Sequence, residues 1–289
     1  MPLILILQSA EEPRYQEVLQ GFRSVLEDKL GPDGTAFRLV VRTLSSEGGI
    51  PQIKPEQQPI TLFVALGEEA TLAARHMAEG RPVIFAMVSG RAARELLESG
   101  EEAPLTGVMM DVSLEGQLET LTRVLPNARR VGVMHQASAT PRLERAREAA
   151  SSYGLELVNV SVQSGDQIPS ALLNLTGKID ALWMPEELSA QGSDLAQFLT
   201  LHALRHRLPF MAVAPGHVKA GALFCAYADY EEMGRQTAEL VHDVVSGRSL
   251  TGIPPLSPRR WRIALNLKAA EAIGQSIPRE IRKEADPKF

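Results

Sequence analysis

Short apolar runs alternate with stretches of helical spacing along almost the whole chain, and the alternation restarts once, near its middle. Leu3–Leu7, Thr61–Leu66, Val83–Met87 and Gly107–Met110 are such runs in the first half. A run without polar alternation is what a strand buried on both faces requires. Between the runs, Tyr15, Val18, Leu19, Phe22, Val25 and Leu26 recur at helical spacing, and Gly67 and Ser89-Gly90 mark turns into further helices. Strand–helix–strand repetition of this kind predicts a parallel sheet with helices on both faces.

The second series begins with the helix stripe Leu114, Leu118, Leu121 and Leu125, which Pro126-Asn127 stops. Strands are predicted at Val131–Met134, Leu155–Val160 and around Ala181, with helices from Pro141, from about Ile168 and through Leu195, Phe198 and Leu199. A late stripe, Met233, Thr237, Leu240, Val241 and Val244, is followed by the Pro-rich connector Gly252–Pro258, a strand over Trp261–Asn266 and a polar tail. The two series echo one another. Leu7-Gln8-Ser9-Ala10 resembles His135-Gln136-Ala137-Ser138, and Val64–Glu69 resembles Leu182–Glu187. The expectation is an α/β protein of two similar doubly wound lobes, residues 1–109 with 227–254 and residues 110–226 with 255–289. The chain is expected to cross between them near Met110, Tyr227 and Pro254-Pro255. Loops at the strand C-termini are the ligand side of such sheets, so a ligand cleft is expected between the lobes.

At 289 residues the chain exceeds what one core ordinarily organises, and 44% hydrophobic residues suffice for two. A net charge of -5 argues against a nucleic-acid surface, which needs clustered Lys and Arg. The single cysteine, Cys225, lies in an apolar run, so it reads as a small buried hydrophobe. No run reaches the ~18 apolar residues of a membrane span. His202 and His206 have i, i+4 spacing, but His202-Ala203-Leu204-Arg205-His206 lacks the intervening Glu of a metal motif and reads as a solvated helix face. Phosphate loop, nucleophile elbow and carboxylate dyad are all missing, so neither catalysis, a cofactor nor a metal is expected.

Taken as an ordered set, these residues resemble the solute-binding proteins of ABC importers with a type I periplasmic-binding fold, in the branch that includes tryptophan and tyrosine binders. The resemblance runs through Val64-Ala65-Leu66-Gly67, Pro82–Ser89, Leu105-Thr106-Gly107-Val108 and Arg130-Val131-Gly132-Val133. It continues through Ile179–Trp183, Val218–Ala222, Asp229-Tyr230 with Gly234-Arg235-Gln236, and Asn266-Leu267-Lys268. It implies a small polar solute, an amino acid or an aromatic relative of one, as ligand, and a membrane permease as partner. It also implies a monomeric, periplasmic or lipid-anchored extracytoplasmic protein whose export signal is encoded upstream. A ligand-sensing domain of a regulator is the alternative with the same fold.

The site expected on this basis comprises Gln8, Ser9, Tyr15, Gly67, Glu68, Glu69, Ser89 and Gly90 from one lobe. Gln136, Ala137, Ser138, Glu186, Ala214 and Pro215 come from the other, with Tyr227 and Asp229 where the chain recrosses. Each has a purely structural counterpart. Carboxylates in a first helical turn complement the positive helix end, worth ~0.3–1 kcal/mol, and serines after strands cap helices. Tyr15 and Trp183 lie on core stripes. The sequence departs from the family pattern at the ligand loops, with Glu68 after Gly67 where a small residue is usual, and Ser89-Gly90 where Ser-Asp is usual.

Overall fold

The structure, a computed structural model, describes residues 3–30, 37–44, 60–100, 103–136, 139–185 and 193–289. The expected loop over 45–59 and the helix stop at Gly31-Pro32 lie outside the described residues. Two compact units form, Met1–Asp111 with Ala228–Arg260 and Val112–Tyr227 with Trp261–Phe289. Each unit is assembled from two separate segments, so the chain passes between them three times.

Unit 1 is a five-stranded sheet in the order β2-β1-β3-β4-β5, parallel throughout. Its strands are β1 (Leu3–Gln8), β2 (Arg38–Thr43), β3 (Ile60–Leu66), β4 (Val83–Val88) and β5 (Leu105–Met109). The helices are α1 (Pro13–Leu30), α2 (Glu68–Ala78) and α3 (Gly90–Glu98), with α9 (Tyr230–Val245) returned from the later segment. Alternation along β1 shows why the apolar run is continuous. Ile4 and Ile6 enter the core shared with α1 and α9, while Leu5 and Leu7 enter the opposite core with α2 and α3.

The α1–α9 crossing is set by two glycines. A Cβ on Gly21 would lie 1.8 Å from the Glu231 carbonyl oxygen, and one on Gly234 would lie 2.0 Å from that of Val18. Backbone therefore meets backbone at this crossing, an approach that a side chain forbids.

Unit 2 is a six-stranded sheet in the order β11-β10-β9-β8-β6-β7. It comprises α4 (Leu114–Val124), β6 (Arg130–Gln136), α5 (Thr140–Ser152), β7 (Glu156–Val162), α6 (Ile168–Leu175), β8 (Ala181–Trp183) and α7 (Ser193–Arg205). It continues with β9 (Phe210–Met211), α8 (Pro215–Lys219), β10 (Phe224–Ala228), β11 (Trp261–Leu265), α10 (Leu267–Ile273) and α11 (Arg279–Glu284). Trp183 is 1% exposed and donates its indole N–H to Gln117 Oε1 at 3.0 Å, a core role.

Two expectations are corrected. The polar tail after β11 contains two helices, whose Ala269, Ala270, Ile273 and Ile281, with Ile277 between them and Ala285 just after, are buried in the unit 2 core. Residues 255–260, expected in the second lobe, group with unit 1. Leu256 N–H donates to Gly107 O at 2.8 Å and its carbonyl accepts from Met109 N–H at 2.8 Å, which lays the connector alongside β5. Arg259 then pins it to α9, through Glu232 at 2.6 Å and both carboxylate oxygens of Glu239 at 2.7 and 2.8 Å.

Candidate functional site

In unit 1 the C-terminal strand ends and the helix starts after them carry the residues expected from that lobe. Gly67, at the turn from β3 into α2, has φ 95°, a conformation that favours glycine. A Cβ there would lie 2.5 Å from Ser9 Oγ and 2.9 Å from the Tyr15 hydroxyl oxygen. Gly67 offers α2 no side-chain cap. Ser9 supplies one from the end of β1 instead, its Oγ accepting from Ala70 N–H at 3.0 Å. Burial raises the affinity of the Tyr15 phenol for its proton, an effect that Arg14 and the Ser9 hydrogen bond oppose and Glu12 and Glu69 reinforce. Gln8, the last residue of β1, is buried and donates to Thr43 Oγ1 at 2.8 Å.

At the next strand end, Ser89 Oγ accepts from Ala92 N–H at 3.2 Å, capping α3, and donates its own proton to Glu68 Oε1 at 2.8 Å. Glu68 and Glu69 occupy the first turn of α2, both exposed. Gly90 N–H donates to Asp111 Oδ2, and a Cβ on Gly90 would approach that oxygen to 2.9 Å. The missing side chain at position 90 is thus what admits Asp111, which follows β5. Burial pushes the Asp111 carboxyl above its ordinary range. The Gly90 N–H, the backbone of Asp111 itself and Arg94 oppose the shift, while nearby Glu68 adds to it. Met87, two residues before Ser89, holds φ 60°, a strained value for a side-chain-bearing residue. Asp111 escaped the sequence reading, and its signal was an acidic residue directly beyond a strand run.

In unit 2, Gln136 ends β6, half-buried. Ala137, Ser138 and Glu186 lie outside the described residues. Ala214 and Pro215 begin α8, after β9. His217 in the same short helix has a buried Nδ1 without a hydrogen-bond partner, and burial lowers its affinity for a proton. Tyr227 donates its hydroxyl proton to the Asp286 carbonyl at 2.6 Å, within unit 2. Asp229 caps α9 by accepting from Glu232 N–H at 3.2 Å. The His202 and His206 rings pack at a tilt with centroids 4.3 Å apart, and His202 Nε2 lies 2.9 Å from Thr176 Oγ1. Among the described residues, no group of three His, Cys, Asp or Glu side chains could hold a metal ion. None of their helices is long and apolar enough to cross a membrane.

Two α/β units of discontinuous chain, with hydroxyls, carboxylates and helix starts gathered at strand C-termini, define a bilobed solute-binding fold. The family model for ABC transporter substrate binding proteins matches residues 4–288, and the chain belongs to that family. A tyrosine-binding protein of Clostridioides difficile (strain R20291) is 25% identical over 276 residues, covering 93% of this chain and 79% of the relative. A ligand-free, open substrate binding protein with adhesive properties from Clostridium difficile shares the fold, with TM-score 0.70 and 21% identity over 100% of this chain and 99% of that one. An ABC domain in complex with L-Trp from Streptococcus pneumonia does so with TM-score 0.57 and 19% identity, over 100% and 99%.

Proposed function

We propose that this protein is the extracytoplasmic solute-binding component of an ABC importer, which hands a small zwitterionic solute of the tyrosine and tryptophan class to a membrane permease. Family membership and the tyrosine-binding relative support the class. The observation that carries the ligand chemistry is the Glu68–Ser89 and Gly90–Asp111 pair of contacts at neighbouring strand ends. Glu68 is near enough to raise the affinity of the half-buried Asp111 carboxyl for its proton, and two carboxylates so related favour a cationic group beside them. The solute's ammonium is that group, and it replaces its lost water by carboxylate and hydroxyl acceptors already in place. Ser9, Tyr15 and Gly67 supply the adjoining wall. The protein acts as a monomer, without enzymatic activity.

Thermal unfolding with L-tyrosine, L-tryptophan and the deaminated analogue 3-(4-hydroxyphenyl)propionate tests this reading. A bound amino acid at about 100 times its Kd adds ~2.7 kcal/mol of apparent stability, and the deaminated analogue should add far less. Glu68→Gln and Ser89→Ala should each weaken the amino-acid effect. Equal stabilisation by the deaminated analogue would remove the ammonium from the carboxylates, and full retention by both variants would move the site elsewhere.

A further inference from the structure

Behind Gln136 lies a chain of polar side chains whose hydrogen-bond direction is fixed from both ends. Arg147, exposed on α5, places a guanidinium nitrogen against Asn159 Oδ1 on β7. Asn159 Nδ2 lies 3.1 Å from His135 Nε2, and His135 Nδ1 lies 2.9 Å from the Gln136 carbonyl oxygen. His135 is 5% exposed, so water does not substitute for either ring contact. A guanidinium can only donate, so Asn159 must turn its oxygen toward Arg147 and its NH₂ toward His135. A carbonyl can only accept, so His135 must carry its proton on Nδ1. These two demands meet consistently in one arrangement, a neutral His135 with Nε2 accepting and Nδ1–H donating. Turning Asn159 over would oppose its NH₂ to the guanidinium, and a proton on Nε2 would oppose the Asn159 NH₂.

We propose that Arg147 and Asn159 are positioning residues, which act through His135 to aim the Gln136 carbonyl at the ligand-side end of β6. That this carbonyl serves the solute rests on the function proposed above; the directed relay itself does not. The physical case is the last link. A carbonyl that closes a strand has no ladder position beyond it, and a donor from the preceding side chain fixes its plane. The buried ring holds that donor in place, and the exposed guanidinium selects the ring's tautomer from more than one side chain away. Arg147 also pairs with Glu144 at 2.9 Å on its own helix, which orients the guanidinium.

The test uses the full chain, labelled with ¹⁵N and ¹³C and observed by NMR at neutral pH. His135 should show the Nδ1–H tautomer, with Nε2 unprotonated. In Arg147→Leu, where Asn159 is free to turn, the tautomer signature should become mixed and the Gln136 carbonyl resonance should move. Arg147→Lys, which still donates, should keep both close to wild type. Asn159→Asp, nearly isosteric, puts an acceptor where the donor was, and both ring nitrogens should then carry protons. L-tyrosine affinity, where wild type binds it, should fall about three- to tenfold in Arg147→Leu and recover in Arg147→Lys. An Nε2–H tautomer in wild type, or an unchanged ring and carbonyl in Arg147→Leu, overturns the relay. A moved carbonyl with unchanged L-tyrosine affinity overturns its role at the site. A wild type that binds neither L-tyrosine nor L-tryptophan removes the proposed solute class, while the ring and carbonyl signals still decide the relay.

Discussion

Under the function proposed above, Asp111 is a residue at which stability and function pull apart. Its half-buried carboxyl accepts from the Gly90 N–H, and burial, reinforced by nearby Glu68, is the largest influence, raising its range above the ordinary one. A carboxyl with a raised folded-state range is at its least costly when protonated, so its favourable contribution is present in acid and is lost as pH rises through the folded range. Asp111→Asn keeps an oxygen for Gly90 N–H and removes the charge. It should therefore raise the urea midpoint at neutral pH, and that advantage should shrink as pH falls toward the ordinary aspartate range. Amino-acid binding should weaken in the same variant; a variant that gains no stability would show that the charge is already compensated. How much of this was legible differs by residue. Ser9, Gly67 and Ser89 follow from strand-end turns, because a strand that stops must hand its chain to a helix whose first N–H groups need acceptors. Asp111 left only its place just beyond a strand run as a signal, because its role depends on a missing side chain 21 positions earlier at Gly90. Tyr227 and Asp229 were legible as residues where the chain recrosses but not by partner, since the Asp286 carbonyl lies 59 positions from Tyr227.

At the scale of elements, the α1–α9 crossing shows what a residue pattern conceals. The stripes of both helices were readable from their apolar spacing, whereas nothing in that spacing marks Gly21 and Gly234 as a crossing point, since a helix-interior glycine only costs helix propensity. The structure gives the reason, since each glycine lies under the other helix's backbone. Gly234→Ala should destabilise unit 1 by about 1–3 kcal/mol, the usual scale of overpacking, despite alanine's better helix propensity. A fall in the urea midpoint at unchanged slope is the expected observation, and a neutral or stabilising result would mean that α9 shifts freely along α1. The C-terminal helices were misjudged for the opposite reason. Residues 278–288 are dense in charge, and composition outweighed pattern, yet Ile273, Ile277, Ile281 and Ala285 recur every four positions and are all buried. Periodicity held the signal, and two elements of seven and six residues were too short to make it stand out.

For the whole molecule, the decisive property is that neither unit is a continuous stretch of chain. The strand–helix alternation made two lobes legible, but the third passage was placed too early, because the Pro254-Pro255 connector looks like a linker while it is in fact bonded to β5 and α9. The same discontinuity predicts how fragments behave. Residues 1–111 contain all five strands of the unit 1 sheet yet lack α9, whose Met233, Ala238, Leu240 and Val241 cover Ile4, Val18, Phe22 and Met87. With α1 alone on that face of the sheet, the apolar surface that α9 shields would lie open to water, forfeiting roughly 25 cal/mol for each Å² left uncovered. A fragment of residues 1–111 should therefore lack the dispersed amide spectrum of a packed core, and residues 228–260 joined to it through a flexible linker should restore that spectrum. The joined fragment carries Gly234 to its seat on α1 and Leu256 to its place beside β5, so both halves of the seam are present. Gly234→Ala within it should weaken the restoration more than in the whole protein, because unit 2 no longer holds both ends of the returning segment. Should residues 1–111 fold alone, α9 would be an addition to a self-sufficient sheet, and the three passages would carry no obligation for unit 1 to form.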